Sequence, residues 1–292
     1  MNFFKALFGG EEETAEQKQQ ADTARKFDMF KYDGVRAAKI GQHDYAVKCY
    51  EEALKLRDDL EVRDYLAQAL IRTGRTAEAF AQLQTLAEAE PENKAILLQM
   101  AHVAYMNEDY DAMDDACNRA IQIDGGDAAA HYLKAQANIG HGDMIGAIAM
   151  LTKAIALKAD YAEATLLRGQ TLLRMGDAAG ADTDAGALAA EYGGNEDVLL
   201  LKARVEKAKG NADAAIEYYG KVIEANPFCI DAFKERGAIK YEKGDMAGAQ
   251  EDAQKALELT PQGMESVNGE YSAEGVEQKT RQAYSNLNPL GL

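Results

Sequence analysis

The sequence predicts an all-α fold, a solenoid of about seven helix-turn-helix repeats laid end to end. Three observations predict it. A turn position recurs with a period of 34 residues (33 at the first step), at Gly41, Gly74, Glu108, Gly142, Gly176, Gly210 and Gly244. Small residues recur on two further phases of the same period. The composition agrees, because 4 prolines in 292 residues and plentiful Ala, Leu, Glu, Lys and Gln favour helix. Length alone suggests about two ordinary globular domains. The period replaces that reading with one quasi-one-dimensional array.

The chain opens with the apolar run Met1–Gly10, interrupted by Lys5 and followed by Glu11, Glu12 and Glu13. It is too short for a secretory signal and no small-residue cleavage site follows. Residues 11–26 are polar with helical propensity but little apolar stripe, and read as a solvated leader or a weak extra helix. The array is expected over residues 27–261. In each unit a first helix ends at the turn glycine, which adopts a left-handed cap without a Cβ clash. An Asp or Asn directly after it favours the next helix start.

Seven residues before the turn stands Gly34, Ala67, Ala101, Ala135, Gly169, Ala203 or Gly237. Five after it stands Ala46, Ala79, Met113, Ala147, Ala181, Ala215 or Ala249. Both phases remove bulk where two helices approach closely. Pro91, Pro227 and Pro261 share one phase and, unable to extend a second helix, mark unit ends. Each helix then spans about 13–15 residues. The third unit, with Glu108 and Met113, is expected to be slightly irregular in turn and packing. The tail Gln262–Leu292 holds the chain's only serines, and Val276, Thr280, Ala283, Tyr284 and Leu287 fall on one helical face. That face is expected to cap the last repeat.

On these residues the sequence resembles the tetratricopeptide repeat family. The clearest units are Phe27–Asp59 and Ile230–Gly263, the latter with Arg236-Gly237, Gly244-Asp245, Ala249, Ala256-Leu257 and Pro261. The family's aromatic phase departs from its usual Trp, holding Phe30, Arg63, Leu97, His131, Thr165, Leu199 and Phe233. The resemblance implies a right-handed superhelix whose first helices line a concave groove that takes extended or helical peptides. It implies a non-catalytic interaction scaffold or adaptor.

The residues themselves point the same way. A net charge of −17 argues against nucleic acid or an anionic membrane as the main partner. The richest apolar run, Ala95–Met106, contains Gln99 and His102, so no integral membrane segment is expected. Cys49, Cys117 and Cys229 have no close pairing and read as reduced thiols of a cytoplasmic chain. Cys117, on a bulky apolar phase, reads as a core thiol. Residues 1–261 contain no serine to serve as a nucleophile. His43, His102, His131 and His141 lack metal-ligand spacing, and the glycines form no phosphate loop. Asp109, Asp111, Asp114 and Asp115 lack the calcium-loop pattern and straddle a helix start, where acids suit the macrodipole. No enzyme, metal or cofactor is expected.

Lys134, Arg168, Lys202 and Arg236 form a ladder with the 34-residue spacing. It reads as inter-helix ion pairs, Arg168 with Asp184 and Arg236 with Asp252, in preference to a spine for an anionic peptide. The groove is expected on the middle first helices. The fifth position of each unit holds Leu98, Tyr132, Leu166 and Leu200, with Lys31, Asp64 and Lys234 towards the ends. The twelfth holds Ile71, Tyr105, Ile139 and Leu173, and Gln68, His102, Gln136 and Gln170 lie between. These residues are the candidates for binding an unidentified protein or peptide of apolar or amphipathic character. The family's chaperone-tail reader uses a Lys/Asn/Arg clamp in three successive units. Here Lys31 is followed by Val35 and then Tyr65, so the resemblance does not imply recognition of an acidic C-terminal carboxylate. The alternative uses Phe3, Phe4, Leu7 and Phe8 as a membrane-surface anchor of an assembly factor, or for self-association.

Overall fold

Helical runs separated by left-handed turns build the chain described by a computed structural model over residues 14–260. Phe3, Phe4, Leu7 and Phe8, Pro261 and the expected capping face of the tail lie outside the described residues. Among those described there are fourteen helices and no strand. The first seven are α1 Ala15–Lys39, α2 His43–Leu56, α3 Leu60–Arg72, α4 Thr76–Ala89, α5 Lys94–Met106, α6 Tyr110–Ile123 and α7 Ala128–Gly140. The others are α8 Met144–Leu157, α9 Ala162–Arg174, α10 Ala178–Tyr192, α11 Glu196–Ala208, α12 Ala212–Ala225, α13 Ile230–Glu242 and α14 Met246–Leu259. They fall into two compact units, Met1–Asp143 with α1–α7 and Met144–Leu292 with α8–α14.

The turns are as the period predicts. Gly41, Gly74, Gly142, Gly176, Gly210 and Gly244 have φ between 74° and 84°. Around each, two backbone bonds close the helix end, as in Gly74 N–H to the Ile71 carbonyl (3.1 Å) and Arg75 N–H to that of Leu70 (2.9 Å). This satisfies carbonyls that the helix leaves unpaired. The irregularity expected of the third turn is confined to one residue. Glu108 takes φ 56°, and the same pair of bonds forms from Glu108 and Asp109 to Tyr105 and Ala104. Asp109, Asp177 and Asp245 then cap the helices that follow. Asp59, Asn93, Asp127 and Asn195 cap first helices in the same way, a pattern the turn phase did not show.

Packing follows the small-residue phases. The alanines after the turns are fully buried or nearly so, and Met113 is buried in the third unit without replacing the hairpin. Gly34 meets the Tyr50 ring, and a Cβ there would lie 2.5 Å from it. In the first unit Phe27, Tyr50, Leu66, Leu70, Leu83, Leu97 and Met113 belong to one continuous core. The second unit holds two clusters, one around Leu199, Tyr219 and Val222, the other around Leu188, Val198, Leu201 and Val205. His131 fills its aromatic phase as a buried ring, with Nε2 3.0 Å from the Gly125 carbonyl.

Residues 15–26 of the polar leader are part of α1, which starts at Ala15 and carries a Thr14–Gln17 capping box. Its first turns are exposed, and burial begins at Phe27, whose ring lies 3.6 Å below the Arg57 guanidinium. No described helix is long and apolar enough to cross a membrane.

Candidate functional site

In the first unit α3, α5 and α7 carry eight of the candidate residues. Gln68, His102 and Tyr105 are exposed, whereas Ile71, Leu98, Tyr132, Gln136 and Ile139 are half-buried. Ile71 and Leu98 also pack against the core, so each offers only part of its side chain to solvent. Gln136 Nε2 lies 3.4 Å from Tyr132 Oη, and Gln68 Nε2 donates to Asp64 Oδ2 at 2.7 Å. In the second unit Leu166, Gln170 and Leu173 on α9 and Leu200 on α11 are half-buried. Leu166 and Leu173 pack on the Leu188 cluster and Leu200 on the Tyr219 cluster. None of the twelve is fully buried, and five of the apolar ones are shared between core and surface.

The cation ladder is fully engaged. Arg168 grips Asp184 with two bonds (2.9 and 2.6 Å), and Arg236 grips Asp252 likewise (2.9 and 2.6 Å). Both carboxylates are almost completely buried, so the planar guanidinium supplies the paired donors that such a charge needs. Lys240 adds a second cation to Asp252 at 3.0 Å. The two lysines use another partner. Lys134 pairs with Asp114 and Lys202 with Asp182 (2.9 Å), each 20 residues earlier on the preceding second helix. The forward spacing visible in the sequence finds the arginine pairs and misses the lysine pairs. Their shared backward spacing is the signal that would have found them.

Other charges are held as networks. Lys209 and Lys202 keep the Asp182 carboxyl below its ordinary range, against burial. Glu235 accepts from Arg204 (3.0 and 2.5 Å) and from Tyr219 Oη (2.6 Å). Burial pushes its carboxyl up, and the Arg204 and Tyr219 bonds together hold it below the usual value. Burial pushes the Cys117 thiol up to about 12, the property of an inert core thiol. Cys49 is buried as well, and Cys229 is half-buried.

Asp64 differs from these. It is half-buried, Gln68 is its hydrogen-bond donor, and no basic side chain pairs with it among the described residues. Burial raises its carboxyl above the ordinary range, Gln68 opposes this, and Glu90 adds repulsion. An open hollow of about 440 Å³ lies away from the candidate rows, lined by Glu16, Gln20, Thr23, Phe27 and Arg57. Among the described residues no group of three His, Cys, Asp or Glu side chains is placed to hold a metal.

A tetratricopeptide repeat model matches residues 34–94, 65–128 and 200–263, more than half of the sequence, and the chain belongs to that family. Its fold is that of a protein–protein interaction scaffold. Solved structures agree on the fold. A tetratricopeptide repeat protein from Parabacteroides merdae is 14% identical with a TM-score of 0.69, covering 89% of this chain and 99% of its own. PilW, a widely conserved type IV pilus biogenesis factor, is 18% identical with a TM-score of 0.62 over 74% of this chain and 96% of its own. YrrB, described as having an unusual peptide-binding site, is 17% identical with a TM-score of 0.51 over 61% of this chain and 92% of its own. At such identities the likeness is one of fold alone. No curated protein matches the chain by sequence.

Proposed function

We propose that the protein is a non-catalytic adaptor that holds an apolar or amphipathic segment of a partner protein against its first helices. The observation that carries this is the composition of the rows on α3, α5 and α7. Ile71, Leu98, Tyr105, Tyr132 and Ile139 keep apolar surface accessible, interleaved with Gln68, His102 and Gln136. Partly exposed apolar side chains supply affinity for a peptide's side chains, while amides and imidazole bond its backbone. The ladder cations each hold a carboxylate, which argues against an anionic ligand as their purpose. Leu166, Gln170, Leu173 and Leu200 offer a similar mixture on the second unit. YrrB's peptide-binding site supports a peptide ligand by analogy of fold. Three free thiols, two of them buried, support a reducing compartment, the cytoplasm.

The test is affinity capture with the wild-type chain and with Leu98→Asp combined with Tyr132→Ala, read by mass spectrometry. Capture is expected to be lost while helical circular dichroism is retained. Because Leu98 also touches the core, His102→Ala with Tyr105→Ala, at two exposed positions, serves as the second variant. Undiminished capture by both folded variants would exclude this groove.

A further inference from the structure

Asp64 occupies, in its unit, the position that Leu98 and Tyr132 occupy in the next two. We propose that the partner segment places a Lys or Arg against Asp64 and apolar side chains about three and six residues further along against Leu98 and Tyr132. The inference rests on the groove reading above and adds the ligand's charge, its position and its period.

Helix capping does not account for Asp64. Asp59 is the N-cap of α3 and accepts from the Val62 amide at 3.1 Å, so Asp64 lies beyond the first turn, where the dipole is spent. Three cations on its own helix and on the first helices to either side are committed elsewhere. Lys31 pairs with Glu61, Arg63 with Asp58 at 2.6 Å, and Lys94 with Asp124 and Asp127 at 2.7 and 2.5 Å. A half-buried carboxylate with one neutral donor is under-compensated, and Glu90 adds to the negative potential around it. An incoming ammonium or guanidinium relieves both, and the net charge of −17 favours its approach.

The period follows from two lengths. Packed neighbouring helices lie about 8–10 Å apart, and an extended or polyproline chain advances about 3.1–3.4 Å per residue. Roughly every third ligand residue therefore meets the next first helix. A ligand of the form basic-x-x-apolar-x-x-apolar satisfies Asp64, Leu98 and Tyr132 in turn.

The test is selection of a displayed random nonapeptide library on the full chain, on Asp64→Lys, and on Leu98→Asp with Tyr132→Ala. Wild type is expected to enrich Lys or Arg three residues before the first of two apolar positions, and Asp64→Lys to exchange that preference for Asp or Glu. Synthetic peptides from the wild-type pool should bind Asp64→Asn about fivefold more weakly. An unchanged basic preference in Asp64→Lys, or pools with no basic position, would overturn this inference while leaving the groove intact. Pools whose binding survives the Leu98/Tyr132 variant, or no enrichment at all, would overturn the groove reading and this one with it.

Discussion

Glu108 does the work that glycine does in the other six turns, at φ 56°. A side chain in the left-handed region costs about 1–2 kcal/mol, partly offset by the lower chain entropy of a non-glycine residue when unfolded. Glu108→Gly is therefore expected to stabilise the protein by about 0.5–1 kcal/mol in urea unfolding. Gly74→Ala meets no atom within 4 Å, so its expected loss of about 1 kcal/mol is purely conformational. The buried carboxylates behave differently from one another. Asp184 is held by Arg168, whereas Asp252 keeps Lys240 when Arg236 is removed. Arg168→Ala should cost roughly 2–3 kcal/mol and Arg236→Ala clearly less, by the same unfolding measurement. Equal losses would show that Lys240 does not compensate.

Between elements, the close approach of α1 and α2 depends on Gly34. An alanine there would press on the buried Tyr50 ring, which has no free end to swing aside. Gly34→Ala is expected to lower stability by about 1–3 kcal/mol, seen as a reduced thermal midpoint. Farther along, Glu235 ties α13 to Arg204 on α11 and Tyr219 on α12. Its folded carboxyl lies below the ordinary value of 4.5, so the stability it contributes is complete above that value and is lost as pH falls through the lower folded one. Wild type should therefore lose more stability than Glu235→Gln between about pH 5 and about pH 3. Matching losses in the two proteins would show that the network does not couple folding to protonation.

For the whole molecule, a repeat array makes stability a sum of neighbouring interfaces rather than one global core. Tyr219→Ala, deleting a fully buried ring of the second unit, should cost about 3 kcal/mol. Hydrogen exchange is expected to speed up in α11–α14 far more than in α1–α6, and a uniform loss of protection would contradict the additive picture. The fold was legible because each repeat restates it. Six glycines on one phase require positive φ, and alanines on another require small volume, so each unit votes for the same hairpin. The candidate groove was legible only as phases. Ile71 and Leu98 turn out to be divided between core and surface, since exposure depends on how neighbouring helices stack and not on residue type.

By itself the sequence determined the repeat length, the hairpin, the turn chemistry and the arginine pairs within repeats. All of these follow from local backbone geometry, side-chain volume and spacings inside one unit. The tertiary structure alone decided that α1 begins at Ala15, that Lys134 and Lys202 reach back to Asp114 and Asp182, and that no cation among the described residues pairs with Asp64. Those outcomes depend on which helices lie side by side and on how much water each charge retains, and neither quantity is local to the chain.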